Sequence, residues 1–252
     1  MGRIEVAYAR CARCGFVRTQ TPTWLESAYE NAIDDTDVGL VSRNIDAASL
    51  LEVLLSVVVR NGESIIDIAG GYGLLVRLLR DSGYNAKWHD PYCKNLFARG
   101  FEAGVGEQAA VVTLIEAVEH IHDPVTFFDN IMTVRRPKLL VIGTSLIPDP
   151  VPALFDWPYY APETGQHVAF HTERSLAILA SRYGMTSQRL GWLRVFSPIG
   201  DQVVTRFMRM RADRRVRAAI SLSVAMFNGR PSLCPADHAL IRSRRSSRAN
   251  PL

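Results

Sequence analysis

Ser64-Ile65-Ile66-Asp67-Ile68-Ala69-Gly70-Gly71-Tyr72-Gly73 is the stretch on which the fold turns. Ser64 to Ala69 is short, apolar and β-branched, the composition of a strand buried on both faces. The glycines that follow supply a tight turn, because glycine adopts positive φ and lets a ligand approach the backbone. Leu74 to Ser82 then has helical spacing and is closed by Gly83. A helix that starts on such a turn points its free N–H groups at whatever the turn holds.

The same alternation continues downstream. Ala86 to His89 reads as a second strand, Tyr92 to Gly100 as a helix and Ala110 to Ile115 as a third strand. Pro124 opens a further helix, and Lys138 to Thr144 is another strand. Strands alternating with helices predict a parallel sheet covered on both faces. A helix follows at Glu173 to Tyr183. Leu190 to Ser197 and Gln202 to Met210 read as a β-hairpin, and Arg211 to Asn228 as a last helix. Upstream, Pro22 to Ile33 and Asn44 to Arg60 read as two covering helices. The expected fold is α/β, Rossmann-like and doubly wound, a mostly parallel seven-stranded sheet with an antiparallel edge hairpin and an N-terminal helical cover. The expected divisions are a Cys-containing segment at 1–20, helices at 21–62, the main domain at 63–228 with an aromatic loop at 148–171, and a basic tail at 229–252, with Ser243 to Leu252 disordered.

Composition excludes several classes. No apolar run spans a bilayer; Leu50 to Val59 is too short and lies between Asp46 and Arg60. The first residues lack the apolar core of a signal peptide, so a cytoplasmic location is expected, with no membrane partner. Four cysteines are too few for a disulfide framework. The net charge of +4 is uneven: eleven arginines against Asp213 and Asp237 make residues 205–252 +9, which leaves 4 − 9 = −5 for the rest. Without a base-reading motif, the basic end is read as a solvated face and nucleic acid is not the expected partner.

Asp90 lies 23 residues after Asp67, at the end of the second strand, where a carboxylate can accept ribose hydroxyls. Asp67 stands just ahead of the glycines. A carboxylate there suits a ligand with an amino group and repels a pyrophosphate, and the spacing is not the dinucleotide pattern. Asp67 to Gly73 resembles the cofactor motif of class I S-adenosylmethionine-dependent methyltransferases, with Ala69 in place of its first glycine. His89-Asp90-Pro91-Tyr92 resembles the second motif, and Val111 to His120 the fourth strand and its following turn. The resemblance implies that Asp67, Ala69, Gly70, Gly71, Tyr72, Gly73, Asp90, Pro91, Tyr92 and Glu116 hold S-adenosylmethionine. Asp90 to Ala98 and Gly165 to Phe170 are similar to a bacterial group near the deoxysugar C-methyltransferases, whose members carry an N-terminal zinc-ribbon-like segment.

Methyl transfer is an in-line displacement that needs an aligned nucleophile and a proton acceptor. His167 is the expected base, with His120 and Glu119 beside it; His122 and His171 are expected to be structural. Glu116-x-x-Glu119-His120 followed by a later histidine also resembles the divalent-cation site of small-RNA 2′-O-methyltransferases, which makes Mg²⁺ an alternative, although no metal is the expectation. Cys11-Ala12-Arg13-Cys14-Gly15 has zinc-knuckle spacing but supplies two of the four donors zinc needs. The expected function is O- or C-methylation of a small-molecule acceptor, sugar-like or another secondary metabolite. A non-catalytic binding domain and an RNA-directed methyltransferase are the alternatives.

Overall fold

The computed structural model describes residues 4–30, 33–153, 156–212 and 229–249. At its centre is a sheet built from β3 (Ser64–Ile68), β4 (Asn85–His89), β5 (Val111–Ile115), β6 (Leu139–Gly143), β8 (Met185–Leu190) and β9 (Leu193–Pro198). Their spatial order is β4-β3-β5-β6-β9-β8. The pairs from β4 to β6 are parallel, and β9 runs antiparallel to both of its neighbours. Adjacent residues on a strand face opposite sides. Ile65 and Val141 therefore join one core, and Ile66 and Ile142 the other. Helices α2 (Leu40–Val58), α3 (Leu74–Asp81) and α6 (Gln202–Ala212) cover the first side, while α4 (Pro124–Val134) and α5 (Glu173–Arg182) cover the second. Leu51, Leu54 and Leu55 of α2 are fully buried there; each contributes roughly 1.5–3 kcal/mol by leaving water.

A second, three-stranded antiparallel sheet has the order β1-β2-β7, from β1 (Tyr8–Arg10), β2 (Val17–Thr19) and β7 (Ala169–Phe170). Val17, Ile147, Tyr160 and Phe170 form its core, with Trp157 packed against them. The N-terminal segment is thus a hairpin that docks beside the aromatic loop.

Several expectations are corrected. The central sheet has six strands among the described residues, not seven; beyond β4 a single parallel bridge, Trp88 to Glu102, stands at the edge. Among the described residues of the helix expected at Pro22 to Ile33, only α1 (Leu25–Ala28) is helical. Residues 92–100 are bends and turns rather than a helix. Asp90 Oδ1 accepts from the N–H of Tyr92 and Cys93, and Asn95 Oδ1 from that of Ala98. Such local bonds compete with helical ones. Gln202 to Met210 is helical, because Asp201 caps Val204 N–H at 3.0 Å and Val204 and Phe207 bury one face. The hairpin is instead β8 and β9, turned by Gly191 and Trp192. Most of the helix expected at Arg211 to Asn228 lies outside the described residues. Where it is described, the tail is helical rather than disordered, with α7 (Cys234–Ala249) reaching Ala249. No helix among the described residues is long and apolar enough to cross a membrane.

Candidate active site

From β3 the chain steps to β4 on one side and then to β5 on the other, so a crevice opens beyond the C-terminal ends of these strands. A cavity of about 740 Å³ lies there, within the range of a small-molecule site. Asp67, Ala69, Gly70, Gly71, Tyr72, Asp90, Pro91, Tyr92, Glu116, His120 and His167 all line it. Gly73 caps α3 in the left-handed region, with φ 85°. Glu119 is fully buried.

The glycine loop is required by its surroundings. A Cβ on Gly70 would sit 2.8 Å from Asp67 Oδ2, and one on Gly73 2.8 Å from Asn95 Oδ1. Ala69 occupies the first glycine's place at φ 56°, a strained conformation for alanine. Asp67 is 2% exposed and accepts from Thr113 Oγ1 at 2.6 Å. Burial, with Asp90 adding to it, pushes its carboxyl up to about 7. Asp90 Oδ2 accepts from Gly71 N–H at 2.9 Å, so Asp90 ties the glycine loop to the turn after β4. Trp88 Nε1 donates to Gly71 O at 2.9 Å and braces the same loop.

Across the cavity, His167 Nδ1 is 2.6 Å from Tyr159 O and His120 Nδ1 is 3.1 Å from Gln166 O. A carbonyl only accepts, so each Nδ1 carries the proton and each Nε2 keeps a lone pair. The two rings stand edge to face, with centroids 4.9 Å apart. Burial lowers the His120 pKa, so its ring is neutral near pH 7. Glu119 accepts from Thr144 Oγ1 at 2.9 Å through Oε2, and its buried Oε1 has no partner. One donor atom each of Glu119, His120 and His167 lies within 4.8 Å of the others. Glu116 stands at φ 50°, and burial, reinforced by Glu119, pushes its carboxyl up to about 8. Tyr159 Oη lies 3.4 Å from Glu116 and 3.2 Å from Thr144. Tyr159 thus orients His167 through its carbonyl and links the two glutamates through its hydroxyl.

Residues 43–189 match a family described as a methyltransferase domain. The chain belongs to this family. No curated protein matches the chain. Among solved structures, an O-methyltransferase family protein from Burkholderia thailandensis aligns at 20% identity and TM-score 0.51, over 69% of this chain and 62% of that one. CalO1, a methyltransferase in calicheamicin biosynthesis solved in an SAH-bound form, aligns at 18% identity and TM-score 0.43, over 69% and 60%. The mitomycin 7-O-methyltransferase MmcR aligns at 20% identity and TM-score 0.43, over 70% and 60%. The chain spans about three fifths of the length of these structures, and at these identities the likeness is one of fold. The methyltransferase motifs read from the sequence do converge on one cavity. The residues that the reading missed come from elsewhere: Arg43 on α2, Thr113 on β5, Thr144 just after β6, and Tyr159 in the aromatic loop. Thr113, a lone polar residue in an apolar strand, and Thr144, at a parallel strand's C-terminal end, both carried a signal.

His122 and His171 lie outside this cluster. His122 Nε2 is 3.0 Å from Thr19 O, and His171 is buried beneath the hairpin against Phe16. Cys11 is exposed, and Cys14 lies three residues on in the turn between β1 and β2.

Proposed function

We propose that the chain transfers the methyl group of S-adenosylmethionine to a hydroxyl of a small-molecule acceptor, with His167 as the general base. The residues present suit this cofactor. Gly70, Gly71 and Gly73 let a ligand approach the backbone closely, the buried carboxylate of Asp67 suits an ammonium group, and Asp90 Oδ2 retains a lone pair for a ribose hydroxyl. Pro91 and Tyr92 flank the adenosine end, and Glu116 the methionine end. When bound, the cofactor supplies an electrophilic methyl group on a sulfonium.

The observation that carries the reading is the fixed tautomer of His167. With Nδ1–H held by Tyr159 O, Nε2 is free to take the acceptor's proton. His120 and Glu119 lie beside it and stabilise the imidazolium that forms. His167→Ala is expected to leave S-adenosylmethionine affinity within about 3-fold while turnover falls roughly 10²- to 10⁴-fold. Calorimetry with the cofactor checks the first arm, and absence of binding would favour a non-catalytic domain. Product analysis separates O- from C-methylation, the latter being the outcome that kinship with deoxysugar C-methyltransferases entails.

One observation favours a second reading, a metal ion held by Glu119, His120 and His167. Two imidazole lone pairs and an unpartnered carboxylate oxygen converge there. The donor set suits Zn²⁺, Mn²⁺ or Fe²⁺ better than Mg²⁺. Activity that survives EDTA would favour the proton-acceptor role. Cys11 and Cys14 we read as two donors of an incomplete zinc site, and stoichiometric zinc in the purified protein would overturn that reading.

A further inference from the structure

A methionine moiety carries two charges, and a site that takes it needs a partner for each. The ammonium has Asp67. The carboxylate has no partner among the residues named so far. Asp34, Asp37, Asp67, Asp90 and Glu116 line the cavity, and in their ionised forms all of them repel an anion. Among the described lining residues, Arg43 is the one lysine or arginine.

The topology places Arg43 at the right end. Asp90 follows β4, Asp67 lies on β3 and Glu116 follows β5, and these strands are neighbours in the order β4-β3-β5. The three carboxyl groups therefore stand in a row, with Asp90 and the ribose at one end and Glu116 at the other. Arg43 reaches in from the first turn of α2, and its Nε lies 3.8 Å from Glu116 Oε2. It thus stands beyond Asp67, on the side away from the ribose.

Its guanidinium has donors to spare. Asp37 Oδ1 accepts from Nη2, and 3.8 Å to Glu116 is too long for a hydrogen bond. A guanidinium offers five N–H donors on three nitrogens. The side chain is 34% exposed, so it borders open space rather than being locked in the core. Gly39 permits this placement, because a Cβ there would collide with Arg43 Nη1. Nearby neutral donors are engaged elsewhere. Asn44 Nδ2 donates to Leu40 O at 2.8 Å and Gln166 Nε2 to Ala28 O at 2.9 Å, and both histidines direct Nδ1–H at carbonyls.

Resting on the methyl-transfer reading, we propose that Arg43 binds the carboxylate of the cofactor's methionine moiety. A planar guanidinium can hold a carboxylate through two parallel hydrogen bonds. Asp90, Asp67 and Arg43 then read ribose, ammonium and carboxylate in that order. Arg43 is the specificity element that turns away adenosyl amines lacking a carboxylate.

The test is calorimetry on the full chain with S-adenosylhomocysteine and two analogues. In one, an aminopropylthio group on 5′-deoxyadenosine lacks the carboxylate. In the other, a carboxypropylthio group lacks the ammonium. The unmodified chain is expected to bind S-adenosylhomocysteine at least about 10-fold more tightly than the aminopropyl analogue. Arg43→Met is expected to weaken S-adenosylhomocysteine and the carboxypropyl analogue about 10-fold or more, and to leave the aminopropyl analogue within about 3-fold. Arg43→Lys, which keeps the charge but not the fork, is expected to fall between. Equal weakening of all three ligands by Arg43→Met would mean that Arg43 only shapes the pocket. Weakening of none would mean that the carboxylate lies elsewhere. Either result overturns the proposal, as does equal affinity of the unmodified chain for S-adenosylhomocysteine and the aminopropyl analogue. If S-adenosylhomocysteine fails to bind the unmodified chain, the methyl-transfer reading falls instead.

Discussion

If Asp67 holds the cofactor as proposed, it couples cofactor binding to pH. Its carboxyl is buried, and its pKa of about 7 means that the empty site is half protonated near neutrality. A cationic ammonium beside it favours the ionised form, so binding expels a proton. Affinity for S-adenosylmethionine is therefore expected to rise as pH passes from 6 to 8, by up to tenfold per unit below the pKa. The sign for stability is opposite. Between the unfolded pKa of 3.8 and the folded value near 7, the native state binds more protons, so Asp67 costs stability as pH rises through that window. The ceiling at pH 8 is on the order of 4 kcal/mol. Asp67→Asn is expected to raise the melting temperature of the cofactor-free protein at pH 8 while weakening cofactor binding and flattening its pH dependence. A cofactor affinity that does not vary with pH would contradict this account.

At the scale of elements, α7 is held by charge rather than by apolar area. Asp237 accepts from Arg80 Nε at 2.8 Å and Nη2 at 2.6 Å, and from Arg77 Nη1 at 2.9 Å. Arg80 is 6% exposed, with its guanidinium 3.7 Å from the Phe101 ring centroid. Asp237→Ala would leave that cation buried and unpaired, which costs about 3–5 kcal/mol. Denaturant titration is expected to show a loss of that size; a change below about 1 kcal/mol would mean that α7 detaches without consequence. None of this was legible beforehand, because the arginine-rich composition of the tail hid the one aspartate that anchors it. Local signals served better. The glycine loop, β3 to β6 and the helix at Pro124 were readable because strand alternation, glycine turns and N1 proline act over a few residues. Gln202 to Ala212 misled for the same reason: Val203, Val204 and Thr205 favour a strand, yet packing of Val204 and Phe207 decides for helix.

For the whole molecule, the small sheet is what links the N-terminal hairpin to the site. β7 begins two residues after His167, pairs with β2, and ends next to His171. The gathering of Glu119, His120 and His167 was legible in part, as motif positions at strand ends. Their support by Tyr159, Gln166 and Thr144 was not, since it depends on contacts between distant segments. His171 is buried between α5 and the N-terminal hairpin, with Ser175 Oγ 3.3 Å from its Nδ1 on one side and the Phe16 ring on the other. Burial pushes its pKa down to about 4. The unfolded chain binds a proton near 6.5 and the native state does not until about 4, so stability is full above 6.5 and is lost as pH falls through that window. The loss from His171 is at most about 3 kcal/mol. His120 and His89, both lowered by burial, act in the same direction. Melting temperature is therefore expected to drop between pH 6.5 and 4, and His171→Gln to shrink that drop without abolishing it. If the hairpin docks on the rest of the chain through His171, exchange of the β2 and β7 amides should accelerate first as acid is added, ahead of the central sheet. Simultaneous loss of protection in both sheets would show instead that they unfold as one unit and that His171 acts on global stability alone.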